Sequence, residues 1–318
     1  MPGPLSIAKY LLLGLVVILL LIGLGFITGV LGAPTVEEVR NEFAAVNEST
    51  TTIDTNLTVD NPNPIGVSIG GLGVNYTILM NEVPMAYGDK HGLSIGTGNS
   101  TVPFRSYLAN DRIPQWWYTH VSGGEVTDVV IDVALSHSLL GGQSVSLTQS
   151  EQVETDIIGQ FNDSTTRPID ADAPGVSDPV LYLNRTAAWY GENLSRDQTP
   201  IEMAFTVYNP KPYPYTVTEV GYEIRMNGIL VGEGSSDRGY AIPPGSTRTL
   251  DATTVLLNGR LDEWWVSHLE RDQVTNLTID TYVVIDPDAS DVLGGTVPAF
   301  RIDSDAFDYQ TRIETDIF

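Results

Sequence analysis

The sequence contains no cysteine among its 318 residues. This absence excludes disulfides, thiol catalysis and cysteine-ligated metal sites, so we expect its domains to be held together by packing alone. Basic residues are scarce: 16 lysines and arginines face 40 aspartates and glutamates, which gives a formal net charge of −24. Such a surface repels nucleic acid, so no nucleic-acid partner is expected. With lysine only at Lys9, Lys90 and Lys211, the composition is typical of salt-loving archaea.

The chain has one long uncharged stretch, at its amino terminus. Residues 10–31 carry no charged side chain, and about 20 apolar residues are enough for a helix to cross a bilayer. Lys9 precedes this stretch and Glu37 and Glu38 follow it, so the positive-inside rule predicts a cytoplasmic leader at residues 1–9, a signal-anchor helix at residues 10–33 and an extracytoplasmic remainder. A cleaved signal peptide is the alternative interpretation.

Acceptor sequons for N-glycosylation agree with an external location. The Asn-x-Ser/Thr pattern marks surface asparagines only in chains that are exported. Two of these sites, Asn56 and Asn75, fall in strand-like segments and are weaker candidates. The eight sequons begin at Asn47, Asn56, Asn75, Asn99, Asn162, Asn184, Asn193 and Asn276.

The second half of the chain repeats the first. The segment VDNPNP at residues 59–64 returns as VYNPKP at residues 207–212, an offset of 148 positions. Further identities at this offset include rare tryptophans, which chance does not supply, so the chain is interpreted as an internal duplication. The matched pairs include Leu108 and Leu256, Asn110 and Asn258, Trp116 and Trp264, Trp117 and Trp265, His120 and His268, and Asp132 and Asp280.

Each copy has the pattern of a mostly β domain. Residues 51–59 and 201–207 alternate apolar and polar side chains, which indicates strands with one buried face. Glycine-rich segments such as residues 66–73 are interpreted as turns between strands. Strands at this spacing favour two tandem antiparallel sandwiches of the immunoglobulin or fibronectin-III type. The predicted domains are residues 34–161 and 181–318, joined by a linker at residues 162–180.

One short helix is predicted in each copy. Trp116 and His120, and again Trp264 and His268, stand four residues apart and therefore share one helical face. The tryptophans, together with Trp117 and Trp265, are expected to close the end of the core. Asn110 and Asn258 are interpreted as the caps that begin these helices.

The repeated Asn-Pro pairs are interpreted as strand terminators. Proline lacks a backbone donor and forces the preceding residue into an extended conformation, so Pro62 and Pro210 should end their strands. The amides of Asn61 and Asn209 would bond the nearby backbone. The alternative is that both asparagines contact a ligand.

These motifs resemble a known domain. The strand ending in Asn-Pro, the Tyr222-x-Ile224 strand ending at Asn227-Gly228, the turn at residues 243–246 and the helix before a final strand are similar to the water stress and hypersensitive response (WHy) domain of the late embryogenesis abundant group 2 family. The resemblance implies a seven-stranded sandwich with one helix and a role in stress or desiccation tolerance. It carries no catalytic residue and no cofactor.

The residues themselves also favour a non-catalytic protein. No nucleophile, phosphate-loop or paired-carboxylate motif appears, and the repeated histidines are expected to be packed rather than catalytic. The aspartates of residues 286–291 and 303–308 are spaced as in calcium loops but lack the glycine and bidentate glutamate of such sites, so no metal site is assigned. The expected role is protection of proteins or envelope components at the membrane. Lipid or hydrophobic-ligand transfer and a structural part in a surface layer or appendage are the alternatives.

Overall fold

The computed structural model describes residues 34–137, 143–170, 177–236, 239–286, 300–303 and 309–314. These residues form two compact units that divide between Thr155 and Asp156. The predicted membrane helix, residues 10–33, lies outside the described residues. In the described part of the chain, no helix has the length and apolar character needed to cross a membrane.

The first unit is an antiparallel sheet with one helix. Its strands follow the order β1-β2-β5-β4-β3-β6-β7, and the helix α1 connects β5 to β6. The elements are β1 (Thr35–Val46), β2 (Thr50–Asn61), β3 (Val67–Met80), β4 (Val83–Ile95), β5 (Gly98–Ala109), α1 (Ile113–Ser122), β6 (Val126–Ser136) and β7 (Ser144–Glu154).

The second unit repeats this order. Its main path, read from β9, is β9-β10-β14-β12-β11-β15-β16, with β8 added beside β9, β13 paired with β11 and β17 paired with β15. The elements are β8 (Arg167–Ile169), β9 (Leu181–Tyr190), β10 (Gln198–Tyr208), β11 (Tyr215–Met226), β12 (Ile229–Ser236), β13 (Tyr240–Ile242), β14 (Thr247–Leu257), α2 (Leu261–Glu270), β15 (Val274–Asp286), β16 (Phe300–Asp303) and β17 (Tyr309–Glu314).

Alternating burial along the strands builds the core of each unit. In β2 every second side chain is buried, including Leu57 and Val59, as the period of two in the sequence predicts. The sheet is curled, and β4 and β5 pair at only three positions. Both units are therefore all-β domains with a curled antiparallel sheet, in agreement with the predicted fold class at that level.

The structure differs from the sequence-based predictions in two segments between strands. Residues 66–73 do not form a turn: β3 runs through most of them, and the extra glycines are absorbed by a bulge between Ile69 and Gly73, where Gly71 has a φ of +73°. Residues 162–180, expected to be a linker, contribute β8 to the second unit. Ile169 at the end of β8 is fully buried, which explains why this strand is held.

Candidate functional site

The repeated asparagines end their strands with both amide atoms in use. Asn61 Nδ2 donates to the carbonyl oxygens of Ile65 (3.0 Å) and Gly96 (2.8 Å), and its Oδ1 accepts from the backbone N–H of Asn63 (3.2 Å). The predicted bonding of the asparagine amide to the nearby backbone is confirmed here. A buried amide with intramolecular partners on both atoms serves the fold rather than a ligand.

The second unit repeats this arrangement around Asn209, which is fully buried. Asn209 Nδ2 donates to the carbonyl oxygens of Tyr213 (2.9 Å) and Ile242 (3.0 Å), and Oδ1 accepts from the Lys211 N–H (2.9 Å). Pro62 and Pro210 follow directly and lie outside β2 and β10. The Asn-Pro pair is therefore a strand-ending device in both units.

The helices form where they were predicted, but Asn110 and Asn258 do not cap them. The residues at the cap positions, Arg112 and Arg260, make no capping bond with their side chains. Asn110 instead lies in a short 3-10 turn and accepts a 2.8 Å bond from the Thr51 hydroxyl. The Thr199 hydroxyl makes the same bond to Asn258. Each asparagine thus joins the start of the helix to the first residues of a neighbouring strand.

In each unit, a tryptophan and a histidine of the helix both contact one threonine of the strand that follows. Trp116 Nε1 donates to Thr127 Oγ1 at 3.0 Å, and His120 Nδ1 lies 2.7 Å from the same oxygen. The histidine is fully buried, whereas the tryptophan is only half-buried, so the histidine and not the tryptophan fills the core. The same contacts, at 2.9 and 2.8 Å, recur in the second unit between Trp264, His268 and Thr275.

His120 makes a further contact through its other ring nitrogen. His120 Nε2 lies 2.9 Å from Thr155 Oγ1, and that hydroxyl donates to the buried carboxylate of Glu125 at 2.8 Å. In the second unit Gln273 stands at the position of Glu125. Burial lowers the pKa of His120, an effect that the Glu125 charge opposes. Burial lowers the pKa of His268 to about 4. Because both rings are buried and neutral at neutral pH, they are poorly placed to serve as exposed bases.

Each unit also contains a tyrosine that passes beneath a neighbouring strand. Tyr76 on β3 reaches across β4 and donates to the carbonyl oxygen of Arg105 on β5 at 3.0 Å, with Ser106 Oγ 2.8 Å away. A Cβ at Gly88 on β4 would collide with this hydroxyl. Tyr222 and Gly234 stand in the same relation in the second unit. Sequence reasoning missed this contact, although the tyrosine and the glycine recur at one spacing in both copies.

The residues predicted from the sequence therefore fall into two separate groups in each unit. The helix cluster lies beside Thr51 at the start of β2, and the Asn-Pro pair lies at Asn61 at its end. Ten residues of extended strand span roughly 33 Å, so the two groups do not form one site. Trp117 and Trp265 contact their histidines, with ring centroids 6.3 and 6.1 Å apart.

The sequons differ in exposure. Asn56 and Asn184 are half-buried in strands, whereas the other asparagines are exposed. Asn75 is one of the exposed positions although it lies in β3, because it points away from the core. Residues 287–291 and 304–308 of the aspartate-rich loops lie outside the described residues. The exposed asparagines are Asn47, Asn75, Asn99, Asn162, Asn193 and Asn276.

The fold and these clusters define a class: a tandem pair of all-β domains whose repeated asparagines, histidines and threonines are committed to internal bonds. The profile of the late embryogenesis abundant protein family (LEA_2) matches residues 56–151 and 204–290, one match in each unit and together more than half of the chain. The chain belongs to this family.

Individual relatives cover only parts of the chain. An uncharacterized protein of Methanocaldococcus jannaschii is 31% identical over 110 residues, which are 34% of this chain and 61% of that protein. A crystal structure of an Archaeoglobus fulgidus protein is 25% identical, with a TM-score of 0.34, and covers 43% of this chain and 99% of that one. A solution structure of an Arabidopsis thaliana protein is 12% identical, with a TM-score of 0.25, and covers 41% and 88% respectively.

Proposed function

We propose that the chain is a membrane-anchored, extracytoplasmic and non-catalytic protein that protects other proteins or envelope components during osmotic or desiccation stress. Residues 10–33 would form the anchor, and the two units would be WHy modules folded as immunoglobulin- or fibronectin-III-like sandwiches. Membership of the late embryogenesis abundant family supports a stress-related, non-enzymatic role.

One observation supports the non-catalytic role most directly. The asparagines, histidines and threonines that the duplication preserves are buried and bonded within each unit, as Asn209 is to the backbone and His268 is to Thr275. A catalytic group must reach its substrate, and these side chains are 0–1% exposed. These shared residues therefore stabilise the fold of each domain rather than form a reactive centre.

The physical basis of protection would be the hydrated acidic surface. With a net charge of −24, copies of the chain repel one another and stay soluble as water is withdrawn. An anchor at residues 10–33 would hold both modules at the envelope and raise their local concentration there. The acidic composition, with arginine favoured over lysine among the few basic residues, supports an origin in a salt-loving organism, where such a surface remains hydrated.

Protection is tested by drying a sensitive enzyme with and without the purified chain. Lactate dehydrogenase is taken through repeated drying and rehydration, and its remaining activity and light scattering are measured. We expect more activity and less scattering with the chain than with an equal mass of an unrelated acidic globular protein. Equal results for the two additives would argue against a protective role.

Location and lipid carriage are tested separately. Protease added outside intact cells should degrade a carboxyl-terminal tag and spare a tag placed before Lys9. The reverse result would place the units in the cytoplasm.

Native mass spectrometry of the chain purified from its own membrane would reveal a stoichiometric lipid if the module carried one. That result would support lipid transfer, instead of protection, as the function.

A further inference from the structure

The outer face of the first unit contains an open groove of about 520 Å³. It crosses β4, β3, β6 and β7 on the side away from the core. Its lining includes Thr77, Tyr87, Asp89, Asp132 and Ala134. The volume lies in the range of small-molecule binding sites.

Tyr87 gives the groove an aromatic surface. Its side chain is 56% exposed. The ring packs against Tyr107 on β5, with centroids 5.5 Å apart. This contact restrains the ring, so Tyr87 presents a flat apolar face to solvent without having to be ordered by a ligand.

Hydrogen-bonding groups surround this ring. Asp132 is held by a 2.7 Å bond from the Thr148 hydroxyl, which leaves further acceptor positions on its carboxylate. Asn75 and Asp89 face each other across the β3–β4 pair, and both are exposed. Within the described part of the chain, the groove lining contains no lysine, arginine or histidine. Such a site offers acceptors and an amide to hydroxyl groups and disfavours anions.

On the equivalent face of the second unit, a tyrosine side chain occupies the place of the groove. The register pairs Asn75 with Ala134 in the first unit and Gly221 with Tyr282 at the equivalent place in the second. The Tyr282 ring lies over Gly221, where a Cβ would collide with it. Its hydroxyl donates to Glu219 at 2.6 Å, and Arg301 stacks on the ring at 3.7 Å.

The second unit also has no tyrosine at the position of Tyr87, since Glu233 takes its place in the strand pairing. The repeated aspartate is kept, as Asp132 and Asp280. The two copies therefore share the frame and differ at this face. Among the described residues, the groove that the first copy keeps open is occupied by a tyrosine side chain in the second copy, so it is not a feature that the shared fold imposes.

We propose that the groove of the first unit binds a neutral carbohydrate. A sugar ring presents an apolar face that stacks on an aromatic ring, and hydroxyls at its edge that bond to carboxylates and amides. Two sources fit. Asn75 begins a sequon and lines the groove, so an N-glycan attached there would lie over Tyr87; otherwise a separate saccharide of the envelope occupies the groove.

The separate-saccharide source is tested with the full-length chain made in a bacterial host without N-glycosylation and purified in a detergent that has no sugar headgroup. Calorimetry measures binding of mannohexaose, cellohexaose and chitohexaose, with hexagalacturonate as the acidic control. We expect a neutral hexasaccharide to bind, and Tyr87→Ala to weaken its binding about tenfold. Ala134→Tyr, which copies the second unit, should block binding, whereas Tyr87→Phe should preserve it.

Trp189→Ala serves as the matched control, because Trp189 is a 48% exposed aromatic side chain in the other unit. The glycan source is tested on the native chain by mass spectrometry of the peptide containing Asn75. A glycan held in the groove should be released by peptide N-glycosidase faster from Tyr87→Ala than from the wild type or Trp189→Ala. Carbohydrate recognition is overturned if no neutral hexasaccharide binds and Asn75 is unmodified, or if Tyr87→Ala leaves both binding and release unchanged.

Discussion

In each unit, one buried asparagine side chain bonds the backbone groups near the point where a strand ends. Asn209 bonds two carbonyl groups and one N–H in the segments that follow β10, and Asn61 makes the equivalent bonds after β2. Buried backbone groups without a partner are costly. This requirement explains why the asparagine recurs in both copies without any ligand being invoked.

Replacing Asn209 should therefore destabilise the second unit. Asn209→Ala leaves the buried carbonyls of Tyr213 and Ile242 without their donor, and we expect a loss of about 2 kcal/mol. Chemical denaturation followed by tryptophan fluorescence measures it. Asn276→Ala, at an exposed position, is the control, and a shift no larger than that of the control would contradict the role of the amide.

The buried imidazole of His268 should make stability depend on pH. Burial lowers its pKa from 6.5 to about 4, so between these values the unfolded chain binds a proton that the folded chain does not. The contribution is complete above pH 6.5 and is lost as the pH falls towards 4, about 3 kcal/mol in all.

Unfolding midpoints at several pH values measure this effect. The slope between pH 6.5 and 4 should be smaller in His268→Asn than in the wild type. His91→Asn, where the side chain is 83% exposed, controls for the replacement of a histidine. Parallel curves for His268→Asn and the wild type would show that the buried ring does not carry the dependence.

At the scale of elements, the two-residue turns of the hairpins β3–β4 and β11–β12 have different residues at their second position. Both turns begin with an asparagine at positive φ, Asn81 and Asn227, whose amide is anchored to the next strand of the sheet. The second turn position also has positive φ: +84° at Gly228 but +65° at Glu82. Glycine adopts this conformation without the strain that a side chain causes.

Exchanging these two residues should move stability in opposite directions. We expect Glu82→Gly to stabilise the first unit by about 1 kcal/mol, and Gly228→Glu to destabilise the second by a similar amount. Thermal unfolding monitored by calorimetry gives both values. Glu82→Ala separates conformation from charge, since it removes the carboxylate and keeps the Cβ. Equal gains from glycine and alanine would show that charge decides.

How far these elements could be predicted depends on the kind of contact involved. The strands, both helices and the Asn-Pro ends follow from local periodicity and from proline chemistry. The bond between Thr51 and Asn110 was missed because it joins residues 59 positions apart. The groove beside Tyr87 was missed for the same reason, since strand register decides which side chains share a face and is not visible in the linear sequence.

At the scale of the whole molecule, the duplication preserved strand order while the surface diverged. Both units pair their strands in the same succession, and the shared acidic character dominates the exterior. Self-repulsion among 40 carboxylates destabilises a compact state at low ionic strength. Salt shortens the range of that repulsion, from about 10 Å at 0.1 M to about 3 Å at 1 M.

Stability should therefore rise with salt. We expect the unfolding temperature to increase steadily between low and molar potassium chloride, because repulsion within the folded chain is screened. Glu37→Gln combined with Glu38→Gln and Glu42→Gln lowers the acidic charge of β1 and should flatten the dependence. A midpoint that stays constant or falls would mean that surface ion pairs, such as that of Arg105 with Asp54, outweigh the repulsion.

The tyrosine that runs beneath a strand also has a use in comparing distant proteins. In both units the glycine follows the tyrosine by twelve residues, at Tyr76 and Gly88 and again at Tyr222 and Gly234. The glycine cannot change while the tyrosine is kept, since a side chain at the glycine would displace the ring. Descendants of this domain that have lost every other recognisable residue should therefore have kept the glycine wherever they kept the tyrosine, which makes the pair a marker of common ancestry.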